Sequence, residues 1–189
     1  MRRRAMLTAT GTALLGGVAG CTGTADEGVP AFQVSSPGLS DGSALSARFT
    51  CDGAGMSPPF DIDRVPDPTA ALAVTAEYDR GPLSEPVFWT LWNVPADIGR
   101  IPAGLPRTAS VSSLDGARQG RQSSADPGYE PPCPPRGQPY EHRFQVYALS
   151  ESLAVEGGTE NDDAAEAIGN AVLASRRFTV TYTRPLTPG

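Results

Sequence analysis

One histidine, three cysteines and a few serine–aspartate pairs are the groups in this 189-residue chain whose types suit chemistry. His142 closes the segment Pro131-Pro-Cys-Pro-Pro-Arg-Gly-Gln-Pro-Tyr-Glu-His142 and opens the run Arg143-Phe-Gln-Val-Tyr-Ala-Leu149. A neutral imidazole offers one N–H donor and one acceptor, and it changes charge near neutral pH. A loop stiffened by proline and ending in such a ring is suited to holding a binding group on a fixed scaffold. A lone imidazole also restricts the options. Zinc takes three or four nitrogen, sulfur or carboxylate ligands, and Cys51, Cys133 and His142 lack paired spacing, so neither a metal nor a cofactor is expected. Ser57 or Ser124 with Asp52 or Asp126 would be the partners of a His142 triad. No Gly-x-Ser-x-Gly turn surrounds either serine, and a triad is recognised by geometry. Binding is therefore the leading expectation, and a hydrolase using His142 the weakest.

The elements that must position these groups are mostly strands. Gly 21 and Pro 19 favour turns and short strands over long helices. Phe32 to Ser35, Ala47 to Thr50, Ala71 to Glu77, Val87 to Asn93, Phe144 to Leu149 and Arg177 to Thr183 are apolar or β-branched runs bounded by turn residues. One helix is expected, capped by Asn161 or Asp162, with Asp162, Asp163 and Glu166 at its positive end. Its apolar face would carry Ala164, Ile168 and Val172, widened by Ala165 and Leu173, and it would stop near Ser175 before Arg176 and Arg177. This order implies a mainly β protein, a sandwich of antiparallel sheets with long loops and one C-terminal helix before a final strand.

The first residues read as an export signal. Arg2-Arg3-Arg4 precedes a short apolar stretch from Leu7 to Val18, too short to span a bilayer, and Val18-Ala-Gly-Cys21 resembles a lipobox. Residues 1–20 are thus expected to be a Tat-like lipoprotein signal peptide and Cys21 the lipidated first mature residue. Residues 21–30 would be that cysteine and a flexible tether, and 31–189 one domain. The expected location is the outer face of the cell membrane, held there through the Cys21 lipid only. Charge agrees with a salt-rich exterior. There is no lysine, and without residues 1–20 twelve bases stand against 21 acids, a net of −9. An acidic surface of this haloarchaeal type excludes nonspecific binding to nucleic acid.

Four ordered segments resemble the phosphatidylethanolamine-binding protein family in its bacterial and archaeal, Raf-kinase-inhibitor-like branch. They are Phe49-Thr-Cys-Asp-Gly-Ala-Gly-Met-Ser-Pro-Pro-Phe60, then Phe88-Trp-Thr-Leu-Trp-Asn-Val-Pro-Ala-Asp97. Gly128-Tyr-Glu-Pro-Pro-Cys-Pro-Pro-Arg-Gly137 follows with His142-Arg-Phe144, and last come the helix and closing strand. The order and spacing agree over roughly residues 32 to 184.

The resemblance implies a small β fold with a surface pocket for phosphate or a phospholipid head group, made by an aspartate, the histidine of a His-Trp pair and the His and Tyr of His-Arg-Tyr. This chain keeps His142 and Trp89, but Phe88 stands in place of the first histidine and Phe144 in place of the tyrosine. A gapless alignment from Leu72 puts Tyr78 on the pocket aspartate, and a one-residue shift puts Asp79 or Glu77 there. The implied ligand-binding set is His142, Phe144, Phe88, Tyr78, Asp79, Tyr129, Pro134 and Pro135, a degenerate anion site. Arg80 or Arg136 is a candidate replacement phosphate donor, since a guanidinium fork matches phosphate, and the alternative for both is a solvated loop role. Phe88 and Phe144 would also suit an uncharged or aromatic ligand. The resemblance brings Cys51 and Cys133 into neighbouring loops, where an exported protein would oxidise them to a disulfide, although cytoplasmic relatives keep them as thiols. It also includes inhibitors of kinases and proteases, so a protein-interaction module acting on a secreted protease is the alternative function.

Overall fold

The computed structural model describes residues 31–78, 86–123 and 125–187. Two antiparallel sheets face each other. The smaller contains β1 (Gln33–Ser35), β2 (Phe60–Arg64) and β5 (Arg100–Ile101), in the order β1-β2-β5. The larger is built from β3 (Ala71–Tyr78), β4 (Val87–Pro95), β6 (Ser110–Val111), β7 (Ala117–Gln119), β8 (Pro139–Leu149) and β9 (Val172–Thr183). Its order is β6-β7-β4-β3-β8-β9, which places β4 and β3 at its centre and β9 at an edge. The one helix, α1 (Asn161–Asn170), packs on the far face.

Strand alternation sorts the core into two layers. Leu72, Val74, Ala76, Phe88, Phe144, Val146, Phe178 and Val180 point between the sheets, where Phe49, Phe60 and Ile101 meet them. Ala73, Trp92 and Leu149 point the other way, onto Ala164 and Ile168 of α1. β3 and β4 are buried on both faces, which explains why Ala71 to Ala76 and Val87 to Trp92 are unbroken buried runs. The mainly β sandwich with one late helix is the architecture expected from sequence.

Three local expectations are corrected. Ala47 to Thr50 is no strand: Ala47–Phe49 forms a single 3-10 turn, because the Thr50 amide and hydroxyl both bond the Ala47 carbonyl. The helix ends at Asn170 rather than near Ser175. Gly169 and Asn170 are poor helix formers, and Leu149 of β8 captures Val172 into the sheet ladder. Val172 and Leu173 are therefore exposed on β9, and Arg176 and Arg177 are strand residues. Finally, neither Asn161 nor Asp162 caps the helix. Glu160 holds the N-cap position without a side-chain bond, while the buried Asn161 amide accepts from Thr90 Oγ1 at 2.8 Å and donates to the Val87 carbonyl.

Candidate functional site

His142 sits on β8 among the inward-facing residues, with Phe144, Val146 and Ala148 following it on the same side. Its cross-strand neighbours are Tyr78 on β3 and Val180 on β9. Both lie in the core layer, so the imidazole enters an apolar space. Tyr78 stands edge-on to it at 5.3 Å between ring centroids, and Phe88 at 6.1 Å. Phe88 is the hub, 4.5 Å from Tyr78 and 5.9 Å from both Phe144 and Tyr129. Tyr129 also meets Trp89 edge-on at 5.4 Å. Five rings thus join His142 in one cluster, of which Tyr78 alone is only half-buried.

The electrostatics follow from that placement. His142 is fully buried, and neither Nδ1 nor Nε2 has a hydrogen-bond partner. Burial disfavours the imidazolium and lowers the His142 pKa from 6.5 to about 4. The Tyr140 backbone opposes this shift, close enough to favour the charge yet outside bonding geometry. At neutral pH the ring is uncharged. The Tyr129 hydroxyl is also held neutral by burial, and it donates to the Phe49 carbonyl at 2.8 Å.

Two loops flank this cluster and are fastened to each other. Cys51 and Cys133 form a disulfide across a sequence separation of 82, with Cα atoms 5.3 Å apart. The Cys51 amide donates to the Pro132 carbonyl at 3.2 Å. Gly53 lets the turn close, since a Cβ there would collide with the Ala47 carbonyl. Beside them Asp52 gathers three side chains. It accepts from the Tyr182 hydroxyl at 2.6 Å and from Arg184 Nε at 3.0 and 3.1 Å, with Arg136 at 4.0 Å. The Tyr182 bond, then the two arginines, hold the Asp52 carboxyl below its usual range.

His142, Phe88, Phe144, Tyr78 and Tyr129 are therefore brought together. Arg136 is not part of that group: Nη1 donates to the Pro185 carbonyl at 2.6 Å and Nη2 turns towards Asp52. Pro134 is buried in the same loop and Pro135 is exposed. Asp79, Arg80, Ser124 and Cys21 lie outside the described residues. Ser57 is committed elsewhere, its Oγ accepting from the Leu105 amide at 3.0 Å. Asp52 is committed to Tyr182 and Arg184, and no described hydroxyl or carboxylate bonds to His142. The Tyr182–Asp52–Arg184 cluster had no local signal, because its members lie at least 130 residues apart from Asp52 in sequence.

A groove of about 740 Å³ opens elsewhere, where the segment 42–47 leaves the edge of β9. Leu45, Ala47, Asp52, Tyr182 and Pro185 form its walls. It does not draw on His142.

Comparison with known proteins agrees with this geometry. The sequence profile described as "Phosphatidylethanolamine-binding protein" matches residues 35–183. A UPF0098 protein of Methanothermobacter thermautotrophicus is 32% identical over 146 residues, covering 77% of this chain and 95% of the relative. A UPF0098 protein of Pyrococcus horikoshii is 30% identical over 166 residues, covering 87% and 82%. The crystal structure of Escherichia coli YbcL, described as a new member of the mammalian PEBP family, superposes with a TM-score of 0.73 at 28% identity, covering 81% of this chain and 98% of YbcL. With the sandwich, the ordered motifs and the profile in agreement, the chain belongs to the phosphatidylethanolamine-binding protein family.

Proposed function

We propose that this protein is a non-enzymatic ligand-binding module, carried on the outer face of the cell membrane by a lipid on Cys21, whose site is a degenerate anion or phospholipid head-group site around His142. One observation carries the reading: a fully buried imidazole with both ring nitrogens unbonded. Leaving a buried polar atom unpaired costs about 1–3 kcal/mol, so a histidine kept only for packing would be replaced by an apolar ring at no loss. A bound phosphate or head group would accept the free N–H and relieve part of that penalty. Phe88 and Phe144 supply no further donors, and this supports weak binding through one hydrogen bond with apolar contacts around it. The half-buried Tyr78 ring is the member of the cluster nearest to solvent. The separate groove beside β9 favours a second reading, contact with a protein partner such as a secreted protease.

His142→Phe tests the first reading by keeping a ring and removing both nitrogens. Binding of phosphoethanolamine, followed calorimetrically, is expected to weaken by about tenfold, the value of one net hydrogen bond. The melting temperature should stay level or rise. A clear fall in melting temperature with binding unchanged would make His142 a structural residue. The location has its own test, fractionation of cells expressing Cys21→Ser. That variant is expected in the medium, whereas retention with the membrane would remove the lipid anchor from the proposal.

A further inference from the structure

The Cys51–Cys133 disulfide is exposed at both cysteines, yet it fastens the two loops beside a sealed imidazole. On one side Cys51 stands next to Asp52, which Tyr182 and Arg184 anchor to the end of β9. That side is fixed. On the other side Cys133 belongs to the segment that runs through Gly137 into β8 and His142. Gly137 has φ +80°, a backbone conformation that favours glycine, and its amide bonds the Arg184 carbonyl at 2.9 Å. It is the natural pivot between loop and strand. Among the described residues few other polar ties hold the second loop. They are one main-chain hydrogen bond from Cys51 to Pro132, the Tyr129 to Phe49 bond, the Arg136 bond to the Pro185 carbonyl, and a 4.0 Å ion pair between Arg136 and Asp52. Tyr129 links this seam to the site, since its ring packs on Phe88 and Phe88 packs on His142. With the disulfide formed, His142 is wholly covered and its nitrogens bond nothing.

We propose that the Cys51–Cys133 disulfide is a redox latch on the His142 site: the oxidised chain is closed, and a dithiol reductant opens it by freeing the segment 131–136. This rests on reading His142 as the binding group. The step is thiol–disulfide exchange. A thiolate of the dithiol attacks one Sγ, the Cys51–Cys133 bond breaks, and a mixed disulfide forms while the other cysteine leaves as thiolate and is protonated. The second thiol of the reductant then displaces the protein sulfur. Two protein thiols and one oxidised, cyclic reductant result, with two electrons passed to the protein. Both sulfurs lie in exposed residues, so the reductant reaches them without unfolding the core. The opened segment then swings on Gly137 and loosens the chain that leads back to Tyr129, which packs on Phe88.

The single histidine makes the test specific. The full chain is treated with diethyl pyrocarbonate at neutral pH, oxidised, reduced with dithiothreitol, and as Cys51→Ala/Cys133→Ala, and the His142 peptide is followed by mass spectrometry. Carbethoxylation should be slow in the oxidised protein and faster by about tenfold or more once the latch is released, as expected for local opening. Re-oxidation should restore the slow rate. Equal rates in oxidised and reduced protein overturn the latch. Hydrogen exchange on the wild type guards against simple unfolding. Faster exchange confined to 131–142, with β3 and β4 still protected, supports the latch, and loss of protection everywhere overturns it. Phosphoethanolamine binding separates the two ideas. Binding that needs His142 and is equally tight in both redox states overturns the latch and leaves the site standing. Opening without any His142-dependent binding supports the latch and removes the ligand reading.

Discussion

Replacing both disulfide cysteines, as Cys51→Ala/Cys133→Ala, is expected to lower the unfolding free energy by about 4.5 kcal/mol. The bond closes a loop spanning 82 residues of sequence, and the chain-entropy relation assigns about 4.5 kcal/mol to a loop of that size. Against the roughly 5–15 kcal/mol that holds a typical domain together, this is a large share. The effect acts through the unfolded chain, which regains the freedom the crosslink removes. Few native contacts are lost, because Cys51 and Cys133 are exposed and Asp52 keeps its bonds to Tyr182 and Arg184. Urea unfolding of the oxidised protein and the double variant at neutral pH measures the difference. A loss under about 1 kcal/mol would mean that the unfolded chain already keeps these loops together. The same experiment sets the working range of the redox latch, since the reduced protein must stay folded for the His142 site to open without collapse.

Acid is expected to destabilise the fold through His142 before Asp41 and Asp52 contribute. In the unfolded chain the imidazole takes up a proton near 6.5, while in the folded protein burial lowers its pKa to about 4. Between those values the unfolded state holds one proton more than the native state, so stability falls as pH falls. The contribution is complete above 6.5, declines through the window and is gone below about 4. At about 1.4 kcal/mol per pH unit its full size is about 3 kcal/mol. Asp41 and Asp52, whose folded pKa values are lowered, are protonated only further down, so their losses come below this window. Stability curves for wild type and His142→Phe between pH 7 and 4 should diverge, the wild type losing stability and the variant staying level. Parallel curves would mean that water reaches the imidazole in the folded state. The low folded pKa and the two unbonded nitrogens describe the same condition, a neutral ring sealed away from solvent.

Much of the sandwich could be read from runs of residues. Ala71 to Glu77 and Val87 to Asn93 are long, apolar and β-branched, and they became the two-face-buried β3 and β4. Short elements were harder. β5 and β6 have two residues each and exist only because neighbouring strands supply their partners. The end of the helix shows the same effect. Ala164, Ile168 and Val172 keep helical spacing, but that pattern carries no information about Leu149, and it is pairing with Leu149 that draws Val172 into β9. Local propensity gave way to a ladder whose partner lies more than twenty residues away.

The candidate site divides along the same line. Residue types and order supplied its members: one imidazole just before the apolar run 143–149, Phe88 and Phe144 in place of polar groups, and two cysteines in proline- and glycine-rich loops. These are matters of residue type and order, and they were enough to indicate the family. How those groups meet depends on the packed fold. Strand parity and register turn His142 inward against Tyr78 and Phe88 rather than outward to water. Arg136 leaves the site because Asp52 and the Pro185 carbonyl offer it better partners. Both outcomes depend on contacts between residues distant in sequence, where burial sets the charge of the imidazole and competition among partners sets the direction of an arginine.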